Sequence, residues 1–368
     1  MVRHREQPGA LGVAYRFNLY CCRLASLFPR VAVNILLAWA SYVLIFSIIL
    51  HSYSGFAAIL LVGLSASIYC LCVAAYFLTV RYGSIGPARQ ISTEDEVHLE
   101  SGTASLLLNN VQAKENGQKR YCGKCKNWKP DRTHHCSTCQ TCVLKMDHHC
   151  PWFSICIGYE NHKYFVLFLT YVVADCVVTF FISGIALLDW IDKGEYEDEF
   201  ISLNWVLVFI ISAVFGIAVS VFWGYQLYLL FSNKTTIEAM ETQRYNSQLS
   251  HAQFRYSEAP SSETVGNVFD LGWKENFRQV MGDHAWQWVL PIRSSKGTGL
   301  TFQTNAKVMA AIRNQADQEA QMLSNLNGFL ERNSTSNGGQ QNNVVVASEE
   351  DEYNGRVSVE FRPSDWHR

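Results

Sequence analysis

The chain has 368 residues, 49% of them hydrophobic and 13% aromatic, with a formal net charge of -2. A balance this near neutral offers no basic field for nucleic acid and names no partner by itself. The composition suits a large soluble protein as well as a membrane protein, so the distribution along the chain has to decide. Residues 1–30 form an arm with Arg3, Arg5, Arg16, Arg23 and Arg30 against Glu6 alone. Four apolar runs follow at 31–50, 56–80, 164–188 and 204–231, each long enough for a bilayer, which takes about 20 helical residues. None holds Lys or Arg, and Asp175 is their only acidic residue. The first run lies too far in, and lacks a small-residue cleavage site, for a removed signal peptide; it reads as a signal anchor. Cys21 and Cys22 before it could carry lipid or remain unmodified juxtamembrane thiols.

Charge sets the expected orientation. The arm, the segment after the second run (Arg81, Arg89, Lys114, Lys119, Arg120) and the segment after the fourth (Lys234, Arg244) are basic. Between runs three and four lies DWIDKGEYEDEFISLN, with six acidic residues and one lysine. Both termini therefore belong in the cytosol, with the acidic loop lumenal. Residues 81–119 are polar without sustained period and read as a surface linker.

From Cys122 to Cys156 stand seven of the twelve cysteines and four of the eleven histidines. A shift of fourteen residues turns Cys122, Cys125, His135 and Cys142 into Cys136, Cys139, His149 and Cys156. Three thiolates and one imidazole make a closed tetrahedral shell for structural zinc, and two such interleaved sets imply two ions. A reducing cytosol suits metal binding rather than disulfides. His134, His148 and Cys150 are left over. His134 reads as a packing or hydrogen-bonding residue. Cys150 continues the period from Cys122 and Cys136, but Phe153 stands where its partner thiol would be. A spare thiol preceded by Asp147 and His148 is the layout of an activated nucleophile, with a base for the thiol and a carboxylate to orient the base. Tyr164, where the third run begins, is only eight residues beyond Cys156, so this thiol sits close to the membrane face.

The sequence Asp147-His148-His149-Cys150, in a Cys-rich segment between runs two and three, resembles the DHHC protein S-acyltransferases (palmitoyltransferases). Thr235-Thr236-Ile237-Glu238 resembles that family's TTxE element, and Asn267-Val268-Phe269-Asp270-Leu271-Gly272 with KENFRQVMGDHAWQWVLPI its C-terminal motif. The likeness covers about 30–290 and leans towards a fungal, vacuole-type member; Golgi and ER are the alternative compartments. It implies a mainly α membrane protein with four transmembrane helices and a two-zinc domain over 120–163. It implies a nucleophile (Cys150), a general base (His148) and a carboxylate that orients the base (Asp147). The co-substrate would be a long-chain acyl-CoA such as palmitoyl-CoA. The acceptors would be cysteines of peripheral or membrane proteins at the bilayer.

The same resemblance makes Trp152, Phe165 and Phe168 candidates for lining an acyl-chain cavity, with Asp175 at its deep end. Lys274, Arg278, Arg293 and Lys296 are candidates to meet CoA phosphates, although for any one of them a solvated or lipid-facing charge is the favoured reading. Over 232–310 we expect a folded cytosolic region. In it, Thr235 and Glu238 fit a capping box, and 266–281 reads as an amphipathic helix with Asn267 as its N-cap. Trp286, Trp288, Leu290 and Pro291 should then meet the span ends or the membrane interface. The polar stretch 311–368 reads as a disordered tail. The sequons at Asn233 and Asn333 should stay unmodified in this orientation. A membrane-tethered zinc adaptor would explain eight ligands but not the extra Asp-His-Cys set, and an inactive scaffold has no need to keep that set intact.

Overall fold

The computed structural model describes residues 27–83, 110–114, 119–193, 201–245 and 260–336. Cys21, Cys22, the acidic stretch 194–200 and the tail beyond 336 lie outside these. Four helices are long and apolar enough to cross a membrane: α1 (Leu27–Ser52), α2 (Gly55–Arg81), α3 (His162–Asp192) and α4 (Leu203–Phe231). Each contains the apolar run expected for it. Half of the most apolar window of α3 is buried, against 17% for α2 and α4, so α3 is the central helix. Phe56, Ile59, Phe181, Ile217 and Val221 stay largely exposed on the outer faces, where hydrocarbon accepts side chains that water would expel. Two indoles are paired across the bundle: Trp205 Nε1 donates to Ser47 Oγ (2.8 Å) and Trp223 Nε1 to Thr170 Oγ1 (2.9 Å).

Between α2 and α3 the chain folds into three antiparallel hairpins: β2 (Tyr121–Cys122) with β3 (Asn127–Trp128), β4 (His134–Cys136) with β5 (Thr141–Val143), and β6 (His148–Cys150) with β7 (Ile155–Ile157). Their registers repeat. Cys122 faces Asn127, Cys136 faces Thr141 and Cys150 faces Ile155. Lys126, Gln140 and Ser154 take the left-handed conformation at φ 52°, 55° and 49°, which closes each turn in the same way. The fourteen-residue period is thus a repeated hairpin, and it has three copies where the ligand spacing showed two. Gly158, just after β7, passes so close to the second hairpin that a Cβ there would lie 2.8 Å from the Leu144 carbonyl oxygen.

The chain after α4 locks this module in place. In α5 (Thr236–Met240) the Thr235 hydroxyl accepts from the Glu238 amide while the Glu238 carboxylate accepts from the Thr235 amide, the expected capping box. Glu238 also receives Arg132 through Nε (2.8 Å) and Nη2 (2.7 Å), and Asn233 takes the rest of that guanidinium through its side-chain and main-chain oxygens. Arg132 is fully buried, with its planar face over Phe269 and Phe302. Asn233 is itself buried and donates to the Phe269 carbonyl (2.7 Å), so its sequon is sterically closed to a glycan.

Three expectations need correction. The linker was placed as far as residue 119, yet β1 (Gln112–Ala113) pairs with β8 (Arg244–Tyr245). The amides of Val111 and Gln112 donate to Asp131 (3.0 and 2.9 Å); a buried carboxylate needs donors, and this stretch supplies them. The helix expected over 266–281 is α6 (Trp273–Met281), and Gly272 is its N-cap. Asn267 instead donates to the Ser232 and Asn233 carbonyls, acceptors left without intrahelical partners where α4 ends. Nor is the region from 311 without structure: α8 runs from Ala306 to Ser336. Its Ile312 is buried with Tyr245, Val268 and Phe269, an apolar anchor hidden in a polar composition. The chain divides into two compact units at Glu319.

Past α6, the short helix α7 (Ala285–Val289) lies against the bundle, as expected for this stretch: the Tyr171 hydroxyl donates to the Val289 carbonyl, and Trp288 packs edge-on against Phe277. Replacing Glu238 with alanine leaves the Arg132 charge buried without its carboxylate and should cost about 3–5 kcal/mol. Thermal unfolding of the detergent-solubilised protein, followed by gel filtration, checks this; an unchanged transition would show that the pair adds no stability.

Candidate active site

Side chains alternate along a strand, and in β6 this separates the three residues after Asp147. His149 turns to one side, where its Nδ1 lies 3.7, 3.4 and 3.6 Å from the Sγ atoms of Cys136, Cys139 and Cys156. His148 and Cys150 turn to the other. In the second hairpin His135 does the same: its Nδ1 lies 3.6, 3.2 and 3.9 Å from Cys122, Cys125 and Cys142. In each set the four donor atoms lie within 4.8 Å of one another. Zn–S bonds of about 2.3 Å and Zn–N bonds of about 2.0 Å at tetrahedral angles put S and N about 3.5 Å apart. Both sets fit a zinc ion, with Nδ1 as the imidazole donor.

On the opposite face His148 Nδ1 meets Asp147 Oδ2 at 2.6 Å, and the same ring feels the Cys150 thiol electrostatically. Asp147 is almost wholly buried and is held from behind by Thr236. The Thr236 amide donates to Oδ1 (2.8 Å) and its hydroxyl to Oδ2 (2.8 Å). Burial alone would raise the pKa of Asp147; the bond from His148, the His162 and His148 rings and the Thr236 amide outweigh it and bring it down to about 2. For His148 burial works downwards, but the bond to Asp147 and the nearby Cys150 thiol raise the imidazole from 6.5 to about 9. Phe165 and Phe222 pack edge-on to the ring, fixing its plane. This arrangement places a proton acceptor on the thiol and a fixed carboxylate behind the acceptor, the geometry of an activated cysteine nucleophile.

The remaining candidates divide. Phe165 and Phe168 are buried in one apolar cluster with Cys150, Phe153 and Tyr76. Asp175 is buried further along α3. Trp152 stands apart, its side chain 57% exposed. Of the cations, Arg293 pairs with Glu160 (3.1 Å) and Lys296 with Asp283 (2.8 Å) and Glu275 (3.2 Å), while Lys274 lies over the Trp273 ring. His134 accepts from Arg120 (3.3 Å); burial and that guanidinium hold its pKa near 4, so it is neutral and takes no part in the nucleophile pair. Sequence reasoning missed two participants. Thr236 was seen only inside its four-residue element, and Arg132 had no signal beyond lying between the ligands.

Removing the Asp147 charge tests the electrostatics. A histidine whose folded pKa exceeds its unfolded one stabilises fully below the unfolded value, and that contribution is lost as pH rises through the folded one. The unfolding temperature of wild type should therefore exceed that of Asp147→Asn most below about pH 6.5, and the gap should shrink towards pH 9. A gap constant with pH would show that the pair is not charged as described.

Known proteins are similar in sequence over this region. The family model described as DHHC palmitoyltransferase matches residues 115–243, from just before the first hairpin to past α5. Palmitoyltransferase PFA3 of Yarrowia lipolytica is 41% identical over 228 residues, which make up 59% of this chain and 57% of that protein. The proteins of the same name from Candida albicans and Debaryomyces hansenii are 35% and 36% identical; the alignments cover 85% and 79% of this chain and 92% and 82% of theirs. With four helices fit to span a membrane, two Cys/His sets fit for zinc and this likeness over most of its length, the chain belongs to the DHHC palmitoyltransferase family of protein S-acyltransferases.

Proposed function

We propose that Cys150 carries the acyl group between a long-chain acyl-CoA and a protein cysteine. The observation that carries this reading is the chain of contacts Thr236–Asp147–His148–Cys150 at the membrane end of α3. In the first step the Cys150 proton resides on His148, and the thiolate so formed attacks the thioester carbonyl. The tetrahedral intermediate expels CoA as a thiolate, which takes the proton back from His148. In the second step the acceptor cysteine gives its proton to His148 and attacks the new thioester, and Cys150 leaves as a thiolate and is reprotonated. One thioester is exchanged for another each time, so the catalytic demand is on forming and placing thiolate. Asp147 keeps the imidazole in the tautomer that faces the thiol.

In this reading Cys122, Cys125, His135 and Cys142 hold one zinc, and Cys136, Cys139, His149 and Cys156 the other. Zinc there supplies structure: four protein ligands leave no position for a substrate, and ligation fixes hairpins that have little apolar core of their own. Phe165, Phe168 and Asp175 flank the path of the acyl chain from Cys150 into the bundle, with Trp152 at its mouth. The basic segments belong to the cytosolic side with both termini, the acidic loop is lumenal, and the compartment is an endomembrane, the vacuolar membrane by preference. The acceptors are cysteines of peripheral or membrane proteins close to the bilayer.

Purified enzyme incubated briefly with palmitoyl-CoA should gain one hydroxylamine-labile acyl chain by intact-protein mass spectrometry, and Cys150→Ala should gain none. No gain in wild type that still holds two zinc ions would favour the scaffold or adaptor reading. Asp175→Tyr or Asp175→Ser should change the rate profile across myristoyl-, palmitoyl- and stearoyl-CoA; an unaltered profile removes Asp175 from the acyl path.

A further inference from the structure

The third hairpin poses a problem that the first two do not. In those, the turn brings two cysteines together, and the amide of the second donates to the sulfur of the first: Cys125 to Cys122 (3.4 Å) and Cys139 to Cys136 (3.3 Å). A metal can then pin both. In the third the equivalent amide, that of Phe153, donates to the Cys150 carbonyl instead (3.3 Å), and Phe153 brings no thiol. The turn that carries the nucleophile therefore needs another anchor.

It has one on the membrane helices. Three consecutive carbonyls of the turn each receive a side chain from α1 or α2. The Tyr76 hydroxyl donates to Trp152 O (3.0 Å), Arg30 Nε to Phe153 O (2.6 Å) and Arg30 Nη2 to Ser154 O (3.0 Å). The Phe153 ring, 1% exposed, fills the place of the second thiol. It stacks on Tyr76 at 4.7 Å and meets Phe165 and Phe168 edge-on at 5.9 and 5.2 Å. These bonds lie at the edge of an apolar core, where a donor of fixed fork geometry is worth more than a flexible one.

We propose that Arg30 and Tyr76 are positioning residues that replace a metal in the third hairpin and hold Cys150 in line with His148. Their polar groups bond only backbone carbonyls of the turn, which leaves the thiol itself open to His148 and to the acyl donor. The proposal rests on Cys150 as nucleophile.

Arg30→Lys keeps the charge and loses the fork; Tyr76→Phe keeps the stacked ring and loses the donor. In rapid single-turnover acylation with palmitoyl-CoA, each should lower the limiting rate of acyl-enzyme formation by about tenfold, less than the roughly hundredfold that misplacing a reacting group by about 1 Å can cost. The half-saturating palmitoyl-CoA concentration should stay within twofold of wild type, as should the zinc content of two per chain, with an unchanged unfolding temperature. Limiting rates at the wild-type level would overturn the proposal. So would a loss confined to half-saturation, or one that tracks loss of zinc or of folded protein. Cys150→Ala in the same assay keeps the two readings apart: a labile acyl group on that variant refutes the nucleophile assignment, whereas slow variants with an inert Cys150→Ala support both.

Discussion

In β6 successive side chains leave opposite faces of the hairpin, and the pairing of His149 with Cys156 across the strands fixes which face is which. One face is committed to ligand atoms. The other then has to present His148 and Cys150 together, two residues apart. A slip of one residue would exchange the two histidines and send Cys150 towards the metal side. In the proposed reading, zinc ligation would do more than stabilise a small module: through His149 it would set the register that brings His148 and Cys150 together. Asp147, just outside the strand, is fixed from the other direction by Thr236, so the module and the chain after α4 meet on a single carboxylate.

That meeting explains the placement of the buried Arg132–Glu238 pair. Taking two charges out of water is costly, and such a pair rarely stabilises more than an apolar contact would. Its geometry, with the guanidinium saturated by Glu238 and Asn233, instead fixes how the hairpins sit on the segment after α4. The same segment carries Thr236. An error in the Arg132 contact would therefore move the hydroxyl that holds Asp147. Local order in the site is inherited from a long-range contact between residues 106 positions apart.

Sequence and structure agree where a pattern is periodic. The four spans were legible because lipid-facing and buried faces are both apolar, and uncharged runs of that length have few other uses. The two ligand sets were legible because metal geometry imposes fixed spacings. By the same arithmetic Cys150 stood out as the thiol with no set to complete. What could not be read depends on partners distant in sequence. Arg30 looked like one more basic residue of the arm and Tyr76 like one aromatic among many in α2, since both act on backbone carbonyls, which leave no trace in side-chain patterns. Asn267 was read as a cap for the helix after it and caps the helix before it instead, because the choice depends on where α4 ends in space. In α8, a polar composition hid Ile312 and Ala316, both buried; average hydropathy misses a helix anchored by so few residues.

The third copy of the hairpin fits the proposed division between a nucleophile and zinc ligands that share one spacing. A thiolate bound to zinc is stabilised as an anion, yet its lone pairs and charge are drawn into the metal bond, and four ligands leave no room for a carbonyl to approach. Cys150 occupies the hairpin position of Cys122 and Cys136 without that constraint. It keeps the strand geometry that points a thiol outwards and exchanges the metal for His148, a partner that can hold a proton and release it. The exchange removes the ion that would have fixed the turn, and Phe153, with donors from two membrane helices on the adjoining carbonyls, stands where it would have been. The turn is thereby tied to the bilayer-spanning part of the protein rather than to a metal of its own, which fits the proposed attack of Cys150 on an acyl donor at the membrane face.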